Sequence, residues 1–559
     1  MKVVLAALNA KFTHTSLALR YLSQAASSFN IDTVEYNINQ DLAQIAADIY
    51  AKKPDVLGLS CYIWNINEVL QIISDLRRVC PALTIILGGP EVSFDIDHWL
   101  TNYPDIDYIV AGEGEEAWVR FLTAWENTNG KLSSEDLAAI PGLAYRWDGK
   151  IMQNPMQGVD LATLPAVYSG SLEGLEHRIV YYETTRGCPF RCAYCLSSVM
   201  GPVREFPMDR CKQELRRLAE ANCEQIRFVD RTFNYDPERA YELIEFMIGL
   251  DTRTRFQLEV SGDILTPRLL ELLRKAPPGR LQFEIGVQST NPDTLRAVSR
   301  KQNLDKLAEA VRFLIEETHV RVLLDLIAGL PHEGFDRFGE SFDYVYRLKP
   351  YRIHLGFLKL LRGSRLRQEA DEFGCVFSGR APYEVLQTND ISYEELAHLH
   401  VIEDLVERYV NSGRFECSIE YLAEQFQSPF KFFDDFAYRW KDSGYHWVNH
   451  SLHGLYRVLK EFYSREYPAL EEYLRWDFRV NEPKSPTPTW LGGVQTRSRE
   501  NAVIRSGIVG QLLPELADLP PREIGRRIYV EEFDFGQGIE KKLFYFEPGA
   551  ARARVLPLP

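Results

Sequence analysis

Three cysteines lie close together in this 559-residue chain, and their spacing constrains the sequence more than any other feature. They are Cys188, Cys192 and Cys195, separated by three and then two residues. A zinc site usually takes four ligands from two such pairs, and no second pair occurs in the sequence. Three thiolates on one short loop suit a 4Fe–4S cluster that keeps one iron open for a small-molecule ligand. The spacing therefore predicts an iron–sulfur cluster.

The remaining composition narrows the class of protein. The other six cysteines are scattered, which predicts buried, inert thiols in a reducing, cytoplasmic protein rather than a secreted disulfide scaffold. The apolar start of the chain is too short for a signal peptide, and no apolar run reaches the roughly 18 residues of a membrane span. A net charge of −15, from 64 Lys and Arg against 79 Asp and Glu, disfavours a DNA-binding protein.

Apolar runs that alternate with helical patterns surround the cysteines. Six strand-like runs lie at 179–185, 225–230, 256–261, 281–289, 320–329 and 353–360. Segments with leucines at helical spacing separate them. Strands that alternate with helices indicate βαβ units around a parallel sheet. We therefore predict a partial (β/α)6 TIM-type barrel, with its chemistry at the carboxyl ends of the strands.

The first 117 residues have a different rhythm. Five short runs rich in Val, Ile and Leu are each separated by about twenty residues of helical periodicity, which predicts a flavodoxin-like parallel sheet buried on both faces. Two of these runs end in glycine-bearing turns, Gly88-Gly89-Pro90-Glu91 and Gly112-Glu113-Gly114-Glu115. Such turns allow close approach of a flat or phosphate-bearing ligand at the edge where open α/β sheets bind cofactors.

The pattern divides the α/β chain into four parts. We expect a Rossmann-like domain at 1–135, a linker with a hairpin at 136–175, the barrel at 176–370 and a further domain at 371–559. An Asp148-Gly149 turn between apolar runs predicts the hairpin of the linker. The last part should be mainly helical with a terminal β-hairpin, and most of its aromatic residues should form a core.

The cysteine motif, with Tyr194 before the third cysteine, resembles that of the radical S-adenosylmethionine (SAM) superfamily. An N-terminal sheet domain with LSxY at 59–62, GGPE at 88–91 and GEGE at 112–115 precedes it. Together these motifs resemble the cobalamin-binding radical SAM enzymes over about residues 1–370, with an uncharacterised C-terminal domain beyond. Methylthiotransferases share the barrel but carry three further cluster cysteines near the N-terminus, and this chain has only Cys61 and Cys80 there.

The resemblance implies that SAM chelates the open iron and is cleaved to methionine and a 5′-deoxyadenosyl radical. Glu259, Gln288 and Asp325 would then contact the SAM amine or ribose, and Arg300 would pair with the SAM carboxylate. A zwitterion needs both an acid and a planar guanidinium, so these residue types are suited to it. Asp230, in a segment that resembles a DDxF motif, is a weaker candidate for the methionine moiety.

The resemblance also implies a bound cobalamin. Its nucleotide tail would pass Ser60, Gly88, Gly89, Gly112, Glu113 and Gly114. The DxHxxG motif, whose histidine binds cobalt in some relatives, is missing. His14 lies in the corresponding loop at a different spacing, and a surface or helix-capping role is favoured for it.

These expectations lead to one main hypothesis and two alternatives. The main hypothesis is a cobalamin-dependent radical SAM methyltransferase that acts on an unactivated carbon of an unknown substrate. One alternative uses the same cofactors for cyclisation or rearrangement without net methylation. The other is a catalytically inactive corrinoid-binding sensor or carrier, which the intact cysteine motif disfavours. For an enzyme, reduced flavodoxin or ferredoxin is the electron donor that the family implies.

Overall fold

The computed structural model describes residues 1–199, 201–482, 487–492, 497–536, 538–550 and 552–558. It divides the chain into two compact units. The first comprises Met1–Ser341 and Leu348–Leu396, and the second comprises Phe342–Arg347 and Ala397–Pro559. The first unit contains both the N-terminal sheet and the cysteine-bearing sheet.

The first unit begins with a seven-stranded sheet. Five strands are parallel, in the order β2-β1-β3-β4-β5, and an antiparallel hairpin, β6-β7, extends the sheet beyond β5. The strands are β1 Val3–Asn9, β2 Ile31–Asn37, β3 Val56–Ser60, β4 Thr84–Gly88, β5 Tyr108–Val110, β6 Leu143–Trp147 and β7 Lys150–Gln153. The helices are α1 Leu17–Ala25, α2 Leu42–Ala51, α3 Ile66–Val79, α4 Ile96–Asn102, α5 Glu115–Asn127 and α6 Ser134–Ala138.

The parallel part of this sheet has the flavodoxin-like strand order, as predicted. Side chains of β1 alternate between two hydrophobic cores, with Val4 and Ala6 in one and Val3 and Leu5 in the other. Both cores form because helices cover both faces, which is why the strands are continuously apolar. The Asp148-Gly149 hairpin of the predicted linker is present, and it pairs with β5 as part of the same sheet.

The second sheet of this unit has six parallel strands in the order β15-β14-β13-β12-β11-β8. Strands β8 and β15 lie at its two edges, so the sheet is the predicted partial (β/α)6 barrel. Its strands are β8 Ile179–Tyr182, β11 Gln225–Phe228, β12 Arg255–Val260, β13 Leu281–Gln288, β14 Arg321–Ala328 and β15 Arg352–Phe357. Two short antiparallel ladders accompany it, β9 Thr185–Arg186 with β10 Arg204–Glu205 and β16 Val376–Phe377 with β17 Val385–Gln387.

The helices around the barrel begin where the sequence provides caps. Asp236, Thr266 and Asn291 each accept a hydrogen bond from the first turn of the helix that follows, and each is followed by proline. Proline at this position loses no helical hydrogen bond and presets the backbone for the helix. The helices are α7 Met208–Glu220, α8 Pro237–Gly249, α9 Pro267–Leu273, α10 Pro292–Ala297, α11 Leu304–Glu317, α12 Phe335–Arg347 and α13 Arg365–Gln368.

The second unit is mainly helical. Its helices, with the last residues of α12, are α14 Tyr393–Tyr409, α15 Glu416–Glu424, α16 Pro429–Asp442, α17 Leu452–Tyr463, α18 Leu470–Asn481, α19 Arg497–Arg505, α20 Ile508–Leu512 and α21 Pro521–Ile524. The predicted terminal hairpin is present as β18 Ile528–Asp534 and β19 Ile539–Tyr545, and β20 Arg554–Leu558 adds a third antiparallel strand.

Short 3-10 turns occur in both units. They lie at Leu196–Val199, Gly262–Ile264, Tyr445–Trp447, Thr489–Leu491 and Pro514–Leu516.

The aromatic residues of this unit form its core. The ring of Phe436 is fully buried and lies 4.9 Å from the ring of Tyr409, 5.7 Å from that of Phe432 and 5.8 Å from that of Tyr463. Tilted and edge-to-face pairs at such distances add to the free energy of burial. The spacing of aromatic residues along α16 therefore reflects packing. No helix among the described residues is long and apolar enough to cross a membrane.

Gly89, in the turn after β4, provides a test of this fold. Its φ is +111°, and a Cβ atom added there would lie 2.5 Å from the Cys61 carbonyl oxygen. We expect Gly89→Ala to lower stability by more than the ~1–2 kcal/mol of a positive φ alone, because backbone must also move. Gly149→Ala is the matched control, since Gly149 has a φ of +75° and nothing within 4 Å. The midpoint of thermal unfolding measures both variants, and equal losses would contradict the steric argument.

Candidate functional site

The three cysteines lie on the loop between β9 and β10, at one end of the barrel sheet. Cys192 is buried, and Cys188 and Cys195 are half-buried. Backbone hydrogen bonds pin the middle of the loop, because the Ala193 N–H donates to the Val298 carbonyl at 2.8 Å and the Ala193 carbonyl accepts from the Leu366 N–H at 2.9 Å. The loop is therefore held against the barrel although it has little regular structure.

The thiols are within electrostatic reach of one another. Burial raises the pKa of Cys188, and the charges of Cys195 and Cys192 raise it further. Among the described residues, no three His, Cys, Asp or Glu side chains gather tightly enough to hold a single metal ion. A 4Fe–4S cluster distributes its cysteines over separate irons, so it requires a wider triangle of thiols. All nine cysteines are free, and these three are a donor set that fits such a cluster.

Arg300 reaches the cysteine loop from the segment after α10. Its Nη1 lies 3.8 Å from the Cys192 Sγ and 3.2 Å from the Tyr194 hydroxyl. Its Nε donates to Gln302 at 3.0 Å, and its Nη2 donates to the Gly286 carbonyl. The structure thus brings Arg300 and Tyr194 together beside a cysteine, as an anion-binding guanidinium near the predicted cluster.

Glu259 and Gln288 lie at the carboxyl ends of β12 and β13, and Asp325 lies in the middle of the neighbouring strand β14. Gln288 has a φ of +66° at a register shift in β13, and its Oε1 is buried with no hydrogen-bond partner in the described structure. The Asp325 Oδ1 lies 3.4 Å from the His354 Nδ1 on β15. Buried polar atoms without partners are uncommon, and the Gln288 oxygen is available to a ligand.

These carboxylates share one electrostatic environment. Burial raises the pKa of Glu259 to about 7; Arg231 opposes this shift, and the charges of Glu284 and Asp325 add to it. Burial likewise raises the pKa of Asp325 to about 6. Carboxyl groups that titrate near neutral pH in a cleft are typical of functional sites.

Asp230 is committed to the segment before the cysteines. Its Oδ2 accepts the Thr184 N–H at 2.9 Å, and its Oδ1 accepts the hydroxyls of Thr184 and Thr185, the latter at 2.8 Å. The side chain is 1% exposed. These bonds hold the start of β9, so the contacts of Asp230 in this structure are with the chain itself.

A polar group inside the barrel was missed by the sequence reasoning. Glu284 on β13 accepts from Gln257 at 2.6 Å and from Arg227 at 3.3 Å. Side chains two residues apart on a strand share a face, and Glu284 precedes Gln288 by four residues. This spacing could have identified Glu284 as part of the same surface.

The glycine turns of the first sheet meet at its carboxyl edge. The Ser93 hydroxyl donates to the Gly89 carbonyl at 2.8 Å and accepts the Gly112 N–H at 3.0 Å, and Gly114 caps the start of α5. Ser60, at the end of β3, is 8% exposed, and its hydroxyl has no hydrogen-bond partner in the described structure. An unpartnered buried hydroxyl beside two glycine turns fits a cofactor site of the kind predicted for cobalamin.

Glu113, expected at the cofactor, is engaged elsewhere in this structure. It pairs with Arg204 through both oxygens, and its Oε2 accepts the Val159 N–H at 2.8 Å. Burial opposes ionisation, yet the hydrogen bonds from Arg204 and Val159 hold the pKa of Glu113 below its usual value. The neighbouring turn behaves similarly, because Glu91 accepts the Tyr383 hydroxyl at 2.5 Å.

His14 is neither exposed nor the cap of α1, contrary to the favoured reading. The cap is Ser16, and the His14 ring is half-buried with its Nδ1 2.9 Å from the Tyr181 hydroxyl of β8. Burial lowers the pKa of His14, and the charge of Arg227 adds to this effect. The residue joins the first sheet to the barrel.

Comparisons with protein-family models agree with these two sheets. Residues 3–122 match the B12 binding domain, residues 182–345 match the radical SAM superfamily, and residues 371–543 match a protein family of unknown function, DUF4080. The fold and the site thus define a radical SAM protein. The chain therefore carries a B12 binding domain followed by a radical SAM domain, the combination expected from its sequence.

Named relatives are distant. The chain is 28% identical over 306 residues to the cobalamin-dependent radical SAM methyltransferase TokK of Streptomyces tokunonensis, covering 50% of this chain and 43% of TokK. It is 23% identical to the anaerobic magnesium-protoporphyrin IX monomethyl ester cyclase of Rubrivivax gelatinosus, and this similarity covers 56% of this chain and 57% of the cyclase. The chain thus spans less than half the length of TokK and less than two thirds of the length of the cyclase.

A solved structure shares the fold. Apo OxsB, a cobalamin-dependent SAM radical enzyme, superposes with a TM-score of 0.60 at 15% identity, covering 86% of this chain and 83% of OxsB. At this identity the similarity shows the arrangement of the chain alone. The B12 binding and radical SAM family models imply a 4Fe–4S cluster, SAM and cobalamin as the cofactors.

The pKa of Glu259 leads to a pH-dependent prediction for the cofactor-free protein. Its carboxyl titrates near pH 7 when folded and near 4.3 when unfolded, so the unfolded state loses its proton first as pH rises. Wild-type stability should therefore fall relative to Glu259→Gln between about pH 4.5 and 7, by up to ~3 kcal/mol. Thermal unfolding of both proteins at pH 5 and pH 8 measures this difference. Glu316→Gln, at an exposed position on α11, is the control, and a Glu259→Gln effect independent of pH would contradict the assignment.

Proposed function

We propose that this chain is a cobalamin-dependent radical SAM enzyme that methylates an unactivated carbon. The observation that carries the proposal is the presence of two cofactor-type sites in one compact unit: the cysteine loop of the barrel and the glycine-turn edge of the first sheet. When bound, the cluster and SAM supply radical chemistry, and cobalamin supplies methyl-transfer chemistry. The protein positions these groups and excludes water from them.

Residues of the barrel would hold the cluster and SAM. Cys188, Cys192 and Cys195 would ligate three irons. The Arg300 guanidinium, beside Cys192 and Tyr194, would pair with the SAM carboxylate. The unpartnered oxygen of Gln288, with Glu259 and Asp325 on the adjacent strands, would accept hydrogen bonds from the amine or the ribose hydroxyls. Asp230 would act indirectly, by holding Thr184 and Thr185 ahead of the loop.

Residues of the first sheet would hold cobalamin. The Ser60 hydroxyl has an unused hydrogen-bonding capacity, and Gly88, Gly89, Gly112 and Gly114 add no side chains of their own at this edge of the sheet. Backbone that can approach a ligand closely suits a nucleotide tail with its phosphate. Glu113 is assigned a different task, because its carboxylate is engaged by arginine.

The division of labour that we propose follows the chain. Residues 1–135 bind cobalamin, 136–175 connect the domains, 176–370 perform the radical chemistry, and 371–559 form a C-terminal domain of unassigned role. Reduced flavodoxin or ferredoxin is the proposed electron donor, since the radical SAM cluster needs a one-electron source. Nine free cysteines favour a reducing compartment, such as the cytoplasm.

A second candidate uses the same cofactors for ring closure without net methylation. The cyclase of Rubrivivax gelatinosus, similar over 56% of this chain, favours it. The polar barrel interior around Glu284, Arg227 and Glu259 is compatible with either reaction. A binding-only role is disfavoured, since the cysteine set and Arg300 are intact and gathered at one loop.

The cluster assignment predicts a loss of iron in a single variant. Cys192→Ser should lower iron in anaerobically reconstituted protein from about four to well below that value and abolish 5′-deoxyadenosine formation, because one ligand is lost. Cys223→Ser is the control, since Cys223 is a buried cysteine outside the loop. Cobalamin should still bind to both variants. Retention of about four irons in Cys192→Ser would contradict the assignment.

The reaction type is decided by the fate of the SAM methyl group. Reconstituted wild-type protein, supplied with deuteriomethyl-SAM, cobalamin, a reductant and a small-molecule extract, should form S-adenosylhomocysteine and a product that carries the heavy methyl group. Heat-treated protein is the control. A cyclised or isomerised product, formed with 5′-deoxyadenosine and without S-adenosylhomocysteine, would exclude the methyltransferase and support the second candidate.

A further inference from the structure

Glu113 connects the glycine turn of the first sheet to both ends of the cysteine loop. Arg186 precedes that loop and Arg204 follows it, and the two residues face each other across the β9–β10 ladder. Glu113 pairs with Arg204 through both carboxylate oxygens, and its Oε2 lies 3.6 Å from the Arg186 Nη1. One carboxylate from the first sheet therefore meets the two cations that close the loop.

The positive charges of Arg186 and Arg204 require a carboxylate beside them. Like charges directly opposite each other on a ladder repel, and Arg186 is only 10% exposed. Two further carboxylates neutralise Arg186, with Glu115 at 2.5 Å and Glu183 at 2.8 Å. Arg204 is 31% exposed, and among the described residues Glu113 is the carboxylate that pairs with it. Glu113 thus pairs with both arginines, whereas Glu115 and Glu183 pair with Arg186.

The position of Glu113 in the chain matters as much as its charge. It lies between Gly112 and Gly114, the glycines to which the proposed function assigns cobalamin. The Val159 N–H bonds its Oε2, and the Val159 carbonyl accepts from Arg204 at 2.8 Å, so the segment joining the sheets completes the junction. A single short turn therefore separates the proposed cobalamin edge from the loop that carries the cysteines.

We propose that Glu113 is a positioning residue that holds the cysteine loop in register with the cobalamin-binding edge. The inference rests on the proposed function for its consequence, which is the separation of two cofactors. Methyl transfer from SAM to reduced cobalamin breaks one S–C bond, forms one Co–C bond and releases S-adenosylhomocysteine, so it needs both sheets in alignment. Reductive cleavage of SAM to methionine and 5′-deoxyadenosine takes one electron from the external reductant by way of the cluster and one hydrogen atom from a donor molecule, and it would use the barrel site alone.

The first experiment needs no cofactor. Hydrogen–deuterium exchange is compared in full-length, cofactor-free wild type, Glu113→Gln and Glu116→Gln. Glu116 is the matched control, because it lies close to Glu113 in the chain, in the first turn of α5, and pairs with Arg120 at the surface. We expect exchange over residues 187–203 to be about tenfold faster in Glu113→Gln and unchanged in Glu116→Gln, since the amide keeps the size of the side chain but loses its charge. Equal protection of the loop in all three proteins would overturn the proposal.

The second experiment measures two partial reactions of the reconstituted holoenzyme. In Glu113→Gln, the rate of S-adenosylhomocysteine formation with reduced cobalamin should fall at least about tenfold more than the rate of 5′-deoxyadenosine formation. A parallel loss of both rates, or of neither, would overturn a positioning role. If wild type forms no S-adenosylhomocysteine, the proposed function fails, and the exchange experiment still decides whether Glu113 holds the loop.

A second variant covers the case in which Glu113→Gln does not fold. Arg204→Gln removes the other half of the pair from a more exposed position. It should also speed exchange over residues 187–203 and lower the ratio of the two rates. The double variant should be no worse than the worse of the two single variants, because both disrupt the same Glu113–Arg204 pair. Additive losses would overturn the pairing as the cause.

Discussion

The buried ionic contacts of Arg186 are the interaction on which the rest of this structure depends. The guanidinium lies between Glu183, which follows strand β8 of the barrel, and Glu115, the first residue of α5, at 2.8 and 2.5 Å, immediately before the cysteine loop. A buried cation must be paired, and removing one partner of a buried pair is far more costly than the pair is stabilising. These contacts therefore favour the observed arrangement of the two sheets, and the cysteine loop begins next to them.

The common direction of the strands in each parallel sheet explains where the candidate site residues lie. In parallel sheets the carboxyl ends of all strands lie at one edge, so Glu259, Gln288 and Asp325 come together although they are distant in sequence. The first sheet presents Ser60 and its glycine turns by the same rule. Within these turns the glycines add no side chains of their own, and the glutamates Glu91 and Glu113 contact tyrosine and arginine, respectively, of the second half of the unit.

Much of this could be predicted from the sequence, because the relevant signals are local. Continuous apolar runs predicted the doubly covered sheet, the cysteine spacing predicted the cluster loop, and the Asp148-Gly149 turn predicted the hairpin. Individual partners could not be predicted, since they depend on which side chains meet across the fold. His14 was expected to be a surface or capping residue, yet it contacts Tyr181. Glu284 escaped attention because an acidic residue in an apolar strand shows its role only once Gln257 and Arg227 are seen beside it.

The sequence by itself determined the order of the domains, the two sheets and the residue types available for an iron–sulfur cluster, because each follows from periodicity or spacing along the chain. Only the tertiary structure decided what Glu113, Asp230 and Arg300 contact. Glu113 turns from the cofactor edge to Arg204, and Asp230 is taken up by Thr184 and Thr185. The reason is physical: a buried charge is stable only with its partners, and those partners come from strands brought together by folding.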